Sequence, residues 1–298
     1  MTEPFRMFGV RVGKLDRLSP SFLRVTFTGD DLRYFADNGY DQRIKLILPV
    51  PSHGLSKLPQ GSDWYGRWRA MADEDRNPMR TYTVRRARPE ARELEVDMVL
   101  HGDTGPMSRW AGAAEVGDEV VVLGPDGRYE GPPSGLEFRP PEGTGAVLIA
   151  GDETAAPAIC SILERLPAGV HGEALLEVAT RGDFLPVETG SAVKITWLAR
   201  DGAPHGSHLI PAVREAAQRL LPAQPVPVPA DFQDVDVDAG ELWEVPEAPS
   251  GPLYAWLAGE SAVIKTLRRH LVAERGMDRR AVAFMGYWRL GRSEDWAA

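Results

Sequence analysis

The sequence predicts two domains: an N-terminal antiparallel β-barrel, then a C-terminal α/β domain with a doubly wound parallel sheet. Three observations predict it. The first 130 residues or so are short alternating segments separated by turns, with no long helical period. After "RPPEGTG" (139–145), continuous apolar runs alternate with amphipathic helical segments. The chain has 298 residues, long for one compact core and comfortable for two. The Pro- and Gly-rich stretch is the natural linker, so the domains are expected at 1–138 and 139–298.

In chain order, "FRMFGVRVGKL" and "FLRVTFTG" alternate and are joined through the turn signal Ser19-Pro20. "RIKLILP", "RTYTVRR", "ELEVDMVLH" and "DEVVVLGP" continue the series, the pattern of a small barrel with one buried face. Pro51 to Met79, with Trp64, Tyr65 and Trp68, reads as a long loop. In the second domain "GAVLIAG", "EALLEVA", "AVKITWLAR", "PLYAWLAG" and "AVAFMGYW" are buried strands. Their helices are "TAAPAICSILERL", "SHLIPAVREAAQRL" and "ESAVIKTLRRHLVAERG". The last of these carries an apolar stripe of Ala262, Val263, Leu267 and Leu271, with Lys265, Arg268 and Arg269 facing away. A Pro-rich acidic segment, 222–252, reads as an irregular surface loop.

Composition narrows the function. Hydrophobic residues make up 43% and charged residues 26%, enough apolar material for a core in each half. A formal net charge of −9 argues against nucleic acid as partner, since that binding needs a basic field. Cys160 is the single cysteine, which excludes an internal disulfide and a cysteine metal cage. The start of the chain lacks a signal-peptide core, and no run reaches the roughly 18 apolar residues of a membrane span. A monomeric cytoplasmic protein is expected.

Two stretches of the barrel carry chemistry. "MRTYTVRR" (79–86) places Arg80 and Tyr82 on one face of a strand and Thr83 on the other, with Thr81 between. A cation, an aromatic ring and hydroxyl or backbone donors suit a flavin dinucleotide; an ordinary strand with an exposed arginine has the same pattern. "HGDTGPMSRWAG" (101–112) follows a strand and opens a short helix at Gly105-Pro106, with Ser108 in its first turn. Free N–H groups at such a start suit a pyrophosphate. His101 at the strand end is either a flavin contact or a structural histidine.

In the second domain Thr154 is a candidate N-cap, with Pro157 in the first helical turn. The GxGxxG fingerprint is absent, and Asp152 and Glu153 would repel a phosphate laid directly against them. That loop suits ring edges and ribose hydroxyls instead. Arg181 and Arg200 follow strands and can meet ribose or phosphate, or simply water. "HGSH" (205–208) has a metal-like spacing with no carboxylate or cysteine beside it in sequence, so it reads as a loop and helix start.

"RTYTVR", "HGDTGPMSRWA", "VVLGPDG", "LIAGDETAAPAI", "AGESAVIKTLRRHL" and "GYWRLG" together resemble the siderophore-interacting proteins. These are flavin-dependent ferric-siderophore reductases related to the ferredoxin-NADP reductase superfamily. The resemblance implies FAD, held by Arg80, Thr81, Tyr82, Thr83, His101, Gly105, Met107, Ser108, Trp110, Ala111, Asp152, Thr154 and Ala155. It implies a ferric siderophore near Lys45, Arg128 and Arg289, and a nicotinamide cofactor near Glu153, Arg181, Arg200 and Glu260. The donor is NAD(P)H or reduced ferredoxin; a non-catalytic flavin- or siderophore-binding module is the remaining alternative. Some members carry a basic residue directly after the Gly-Pro of the last barrel strand. Here Asp126 stands there and Arg128 follows two positions on, which favours a hydroxamate or mixed siderophore over a trianionic catecholate.

Overall fold

A computed structural model describes residues 2–100, 105–221 and 242–291. His101 and most of the acidic segment expected at 222–252 lie outside the described residues. The chain divides into two compact units, Met1–Leu136 and Glu137–Ala298. Glu137 and Phe138 go with the second unit, two residues earlier than the linker suggests. The Phe138 ring meets Tyr254 edge-on at 5.7 Å, and the Tyr254 hydroxyl donates to the Glu137 carbonyl at 3.3 Å.

The first unit contains β1 (Phe5–Arg17), β2 (Phe22–Thr28), β3 (Arg43–Ile47), α1 (Trp64–Arg69), β4 (Met79–Thr83), β5 (Arg86–Arg88), β6 (Glu93–Val99), α2 (Pro106–Ala113) and β7 (Glu119–Pro125). The strands form one antiparallel seven-stranded sheet in the order β4-β3-β7-β1-β2-β6-β5. Its two outermost strands are joined by only Val84 and Arg85, a link of at most ~10 Å. The Val84 N–H donates to Gln42 on the β3 side, and the Arg85 N–H donates to Glu95 in β6. One extended run of chain thus pairs with both ends of the sheet, and the sheet curls into a barrel. Alternate residues fill it: Phe8, Val10 and Val12; Val25 and Phe27; Ile44 and Leu46; Leu94, Val96 and Met98; Val120 and Val122. The period of two read from the sequence is this inside–outside alternation.

The stretch Pro51–Met79 is not a plain loop. It contains α1, whose Trp68 is 2% exposed and donates its indole N–H to the Asn77 carbonyl at 3.0 Å. The Asn77 amide in turn donates to the carbonyls of Leu48 and Gly54. Polar bonds from one asparagine shape this segment, so hydrophobic periodicity did not reveal it.

The second unit contains β8 (Ala146–Gly151), α3 (Ala156–Arg165), β9 (His171–Val178), β10 (Ala192–Ala199), α4 (Leu209–Leu220), β11 (Trp243–Glu244), β12 (Leu253–Glu260), α5 (Ser261–Arg268) and β13 (Val282–Trp288). The sheet order is β10-β9-β8-β12-β13-β11, parallel except for the β11–β13 pair. α4 and α5 pack on the face of Leu148, Ala150, Leu175, Ala255, Leu257 and Phe284. α3 takes the opposite face, where Ile159 approaches Gly151. Strand order reverses between β8 and β12, so the carboxyl ends of those two strands flank the crevice in which such sheets bind ligands.

Two helix expectations change. The N-cap of α3 is Ala155, not Thr154. Thr154 instead donates its N–H and hydroxyl to Asp152. On α5, Ala262 is exposed while Arg268 is 2% exposed and bonded to Glu244 at 2.9 Å. Residues 269–274 continue α5 as a π-helical turn, which shifts the buried face away from a regular 3.6-residue count.

Candidate functional site

In the first unit β4 lies beside β3 with Lys45 opposite Thr81 and Ile44 opposite Tyr82. Arg80 and Tyr82 therefore share the face of Leu46 and Ile44, and Tyr82 packs on the barrel core. Thr81 and Thr83 take the other face; Thr81 is exposed and Thr83 buried. The Lys45 ammonium donates to the Thr81 hydroxyl at 2.7 Å, and the Arg80 guanidinium donates to the Met79 carbonyl.

α2 is anchored by Met107 and Ala111, and Trp110 stacks on Phe27 at 6.4 Å and 17°. Its N-cap is Gly105, which has no side chain of its own to close the first turn. A Cβ at Gly105 would meet nothing within 4 Å. Met107 and Ser108 carry backbone N–H groups of the first turn, which favour an anion by hydrogen bonding and by the helix dipole. Ser108 is half-buried, and Tyr82 and Trp110 pack against one core cluster. The donor set fits a flavin dinucleotide: N–H groups and an arginine for the pyrophosphate, rings for the flat surfaces, and hydroxyls for a polar edge.

Arg128, past the end of β7, forms a two-point ion pair with Asp126 at 2.6 and 2.9 Å, and its guanidinium lies 4.5 Å from the Tyr34 ring centre. Asp126 is 4% exposed, and the Arg128 hydrogen bonds hold its carboxyl below the usual carboxylate range. The guanidinium of Arg6 also approaches Tyr34, and its bond to Asp31 is 2.7 Å. Sequence reasoning missed Arg6 and Tyr34, because only the β1–β7 pairing brings the start of the chain to the end of β7.

In the second unit the crevice between β8 and β12 is built around Asp152. Ala258 stands opposite Gly151, and a register shift at Gly259/Glu260 bends the end of β12. Gly259 has φ +146, and a Cβ there would sit 2.6 Å from an Asp152 oxygen. Glycine is what admits the carboxylate. Asp152 then accepts from Thr154 N–H (2.9 Å) and hydroxyl (2.5 Å), Glu260 N–H (2.8 Å) and Trp288 indole N–H (2.8 Å). Burial, and then the charge of Glu153, push its pKa up; the bonds from Thr154 and Trp288 pull the other way.

Glu153 and Arg200 meet in a buried two-point ion pair at 2.6 and 2.7 Å. The arginine expected to await ribose or phosphate is already engaged by the carboxylate expected to act beside it. Glu177, 0% exposed, lies 3.7 Å from the same guanidinium and accepts from the N–H groups of Gly206, His208 and Leu209. "HGSH" is thus the loop held at the start of α4. Glu260 caps α5 through Ala262 and Val263. Arg181 is exposed past the end of β9, Ala155 is fully buried, and Arg289 is half-buried next to Trp288. No cluster able to hold a metal ion is found among the described residues.

Comparison with known proteins agrees with this architecture. Residues 11–129 match the family model described as siderophore-interacting FAD-binding domain, and residues 144–291 match that of siderophore-interacting protein. The chain is similar to ferric vibriobactin reductase ViuB of Vibrio cholerae, 30% identical over 93% of this chain and 88% of that one. The NADPH-dependent ferric-chelate reductase of Escherichia coli is 27% identical over 92% of this chain and 90% of its own. The crystal structure of a siderophore utilization protein from T. fusca superposes with TM-score 0.72 at 29% identity, covering 98% of this chain and 96% of that one.

Proposed function

Because the chain belongs to the siderophore-interacting protein family, we propose that it is a cytoplasmic FAD-dependent reductase. It converts a bound ferric siderophore to the ferrous form, which such chelators hold poorly, with NAD(P)H as donor. The observation that supports this reading is the start of α2 at Gly105, on the same barrel core as Tyr82. FAD, when bound, supplies a ring that takes up electrons in pairs and releases them singly.

The chain's own residues bind and orient. Arg80 and the N–H groups of Met107 and Ser108 neutralise the pyrophosphate. Tyr82 and Trp110 supply flat apolar surface, while Thr81 and Thr83 offer hydroxyl or backbone donors. Lys45 gives a local positive potential for an anionic iron complex on a molecule whose formal net charge is −9. Arg128 adds less, since Asp126 already balances it; this favours a hydroxamate or mixed siderophore. The E. coli relative's name supports a pyridine nucleotide as donor.

The visible spectrum of purified protein is the first test, and bound oxidised flavin is expected. Mixing protein, ferric siderophore and a ferrous trap with NADH, NADPH or reduced ferredoxin then separates the donors. Protein that binds FAD and siderophore yet yields no ferrous colour with any donor is a binding module. Colourless protein that takes up no added FAD ends the reading. A single species of monomer mass is expected by light scattering.

A further inference from the structure

The outer face of the barrel carries an open groove of about 650 Å³. Core and outer residues alternate along β1 and β7, so the register pair Gly9 and Val121 points outward and lines it. Leu55, from the segment before α1, lines it too. Two exposed ion pairs edge it, Arg11–Glu119 at 2.8 Å and Arg92–Asp30 at 2.6 Å. These charges cancel, which suits a neutral polar ligand better than an anion. Gly9 is the unexpected residue. Glycine inside a strand weakens it, and is kept for a bulge, for close packing or for a ligand that approaches the backbone. The first two reasons do not apply. β1 pairs with β7 without a register shift from Phe5 to Arg11, and Gly9 has no positive φ. A Cβ there would meet nothing within 4 Å. Gly13 and Gly29 differ: a Cβ at Gly13 would strike Thr28 at 2.7 Å beside the β1–β2 register shift, and one at Gly29 would strike the Gly9 carbonyl at 2.7 Å. The groove also adjoins Lys45. Register sets Lys45 opposite Leu123, and Leu123 opposite Met7; the next outward row is Ile47, Val121 and Gly9. The two rows lie about 7 Å apart along the strands. A hexadentate siderophore complex is wider than that step, and between the two lie only the half-buried Leu123 and Met7 of the Lys45 row.

We propose that this groove is a second siderophore subsite: it takes the neutral, amide-rich backbone of the ligand over Gly9, while the iron centre lies on the Lys45 side. The protein is thereby selective for extended hydroxamate siderophores over small chelates that coordinate iron in the same way. This rests on the reductase reading above, through the siderophore position given there to Lys45.

The test uses the flavin-loaded protein and reads binding, not turnover. Two redox-inert gallium(III) complexes are titrated by calorimetry: an N-acetylated linear trihydroxamate, and tris-acetohydroxamate kept intact by excess ligand. Both are neutral and hold the metal through hydroxamates; only the first has a backbone. Wild type is expected to bind the linear complex more tightly. Gly9→Leu fills the groove and is expected to weaken the linear complex by about fivefold or more, moving the ratio of the two dissociation constants toward one. Leu55→Ser opens the groove instead, is expected to weaken the linear complex about threefold, and decides alone if Gly9→Leu does not fold. A wild type with no preference, or a folded variant with an unchanged ratio, overturns the proposal. So does light scattering in which Gly9→Leu splits a dimer while siderophore affinity holds, since the groove is then a contact between copies. Reduction is assayed separately with photoreduced protein. Protein that binds the linear ferric complex and leaves it ferric ends the reductase reading, and the subsite still stands or falls on the calorimetry.

Discussion

At the scale of single residues, the two units place polar groups differently. Lys45 and Thr81 form an exposed pair that a ligand can enter by exchanging one hydrogen bond for another. Lys45→Ala is expected to raise the siderophore KM several-fold while flavin content stays intact, checked by steady-state kinetics with a ferrous trap beside the visible spectrum; unchanged KM with several siderophores removes its role. Asp152 and Gly259 form a buried fit instead. Gly259→Ala drives a methyl group into the Asp152 carboxylate and breaks the arrangement that holds Trp288, at a cost of about 2–4 kcal/mol, measurable as a lower urea midpoint. Asp126 carries a pH dependence. Its pKa is held below the unfolded value near 3.8, chiefly by Arg128. The stability it contributes is therefore present above that pH and lost as pH falls through the lowered folded value. Asp126→Asn flattens that part of an acid-denaturation curve, and an unaltered curve rejects the assignment.

At the scale of elements, strands and most helices were legible because periodicity reports burial directly. Every strand segment quoted from the sequence forms a strand, and the Gly105-Pro106 start of α2 is where the pattern puts it. The exceptions have specific causes. α1 is short and held by Asn77, so it has no period to detect. Arg268 turns inward because Glu244 waits there, and the π-helical turn after it moves the stripe. Thr154 has the chemistry of a cap but serves Asp152 instead. The pairing of Glu153 with Arg200 was illegible for a topological reason: β8 and β10 flank β9, and only the assembled sheet sets their ends side by side. The same holds for Glu177, which looks like an ordinary strand-end acid in sequence. The barrel's outer face has a parallel case, where Arg24 forms a two-point pair with Asp97 at 2.7 and 2.8 Å across β2 and β6. Arg24→Ala leaves a 2% exposed carboxylate with Arg85 beside it at 3.5 Å. It is expected to lower stability by roughly 3 kcal/mol in urea titration.

At the scale of the whole molecule, each unit has its own core, and Cys160 is buried in α3 at 2% exposure. Thiol reagents are expected to label the native protein slowly and the urea-unfolded protein at once; rapid native labelling contradicts that packing. The two-residue step from β4 to β5 has a consequence for how this protein tolerates being cut. A protease nick or engineered new termini between Thr83 and Arg86 severs the hoop at the covalent clasp between its outermost strands, leaving two strand edges that invite aggregation. The same cut in the turn before β6 leaves the clasp intact.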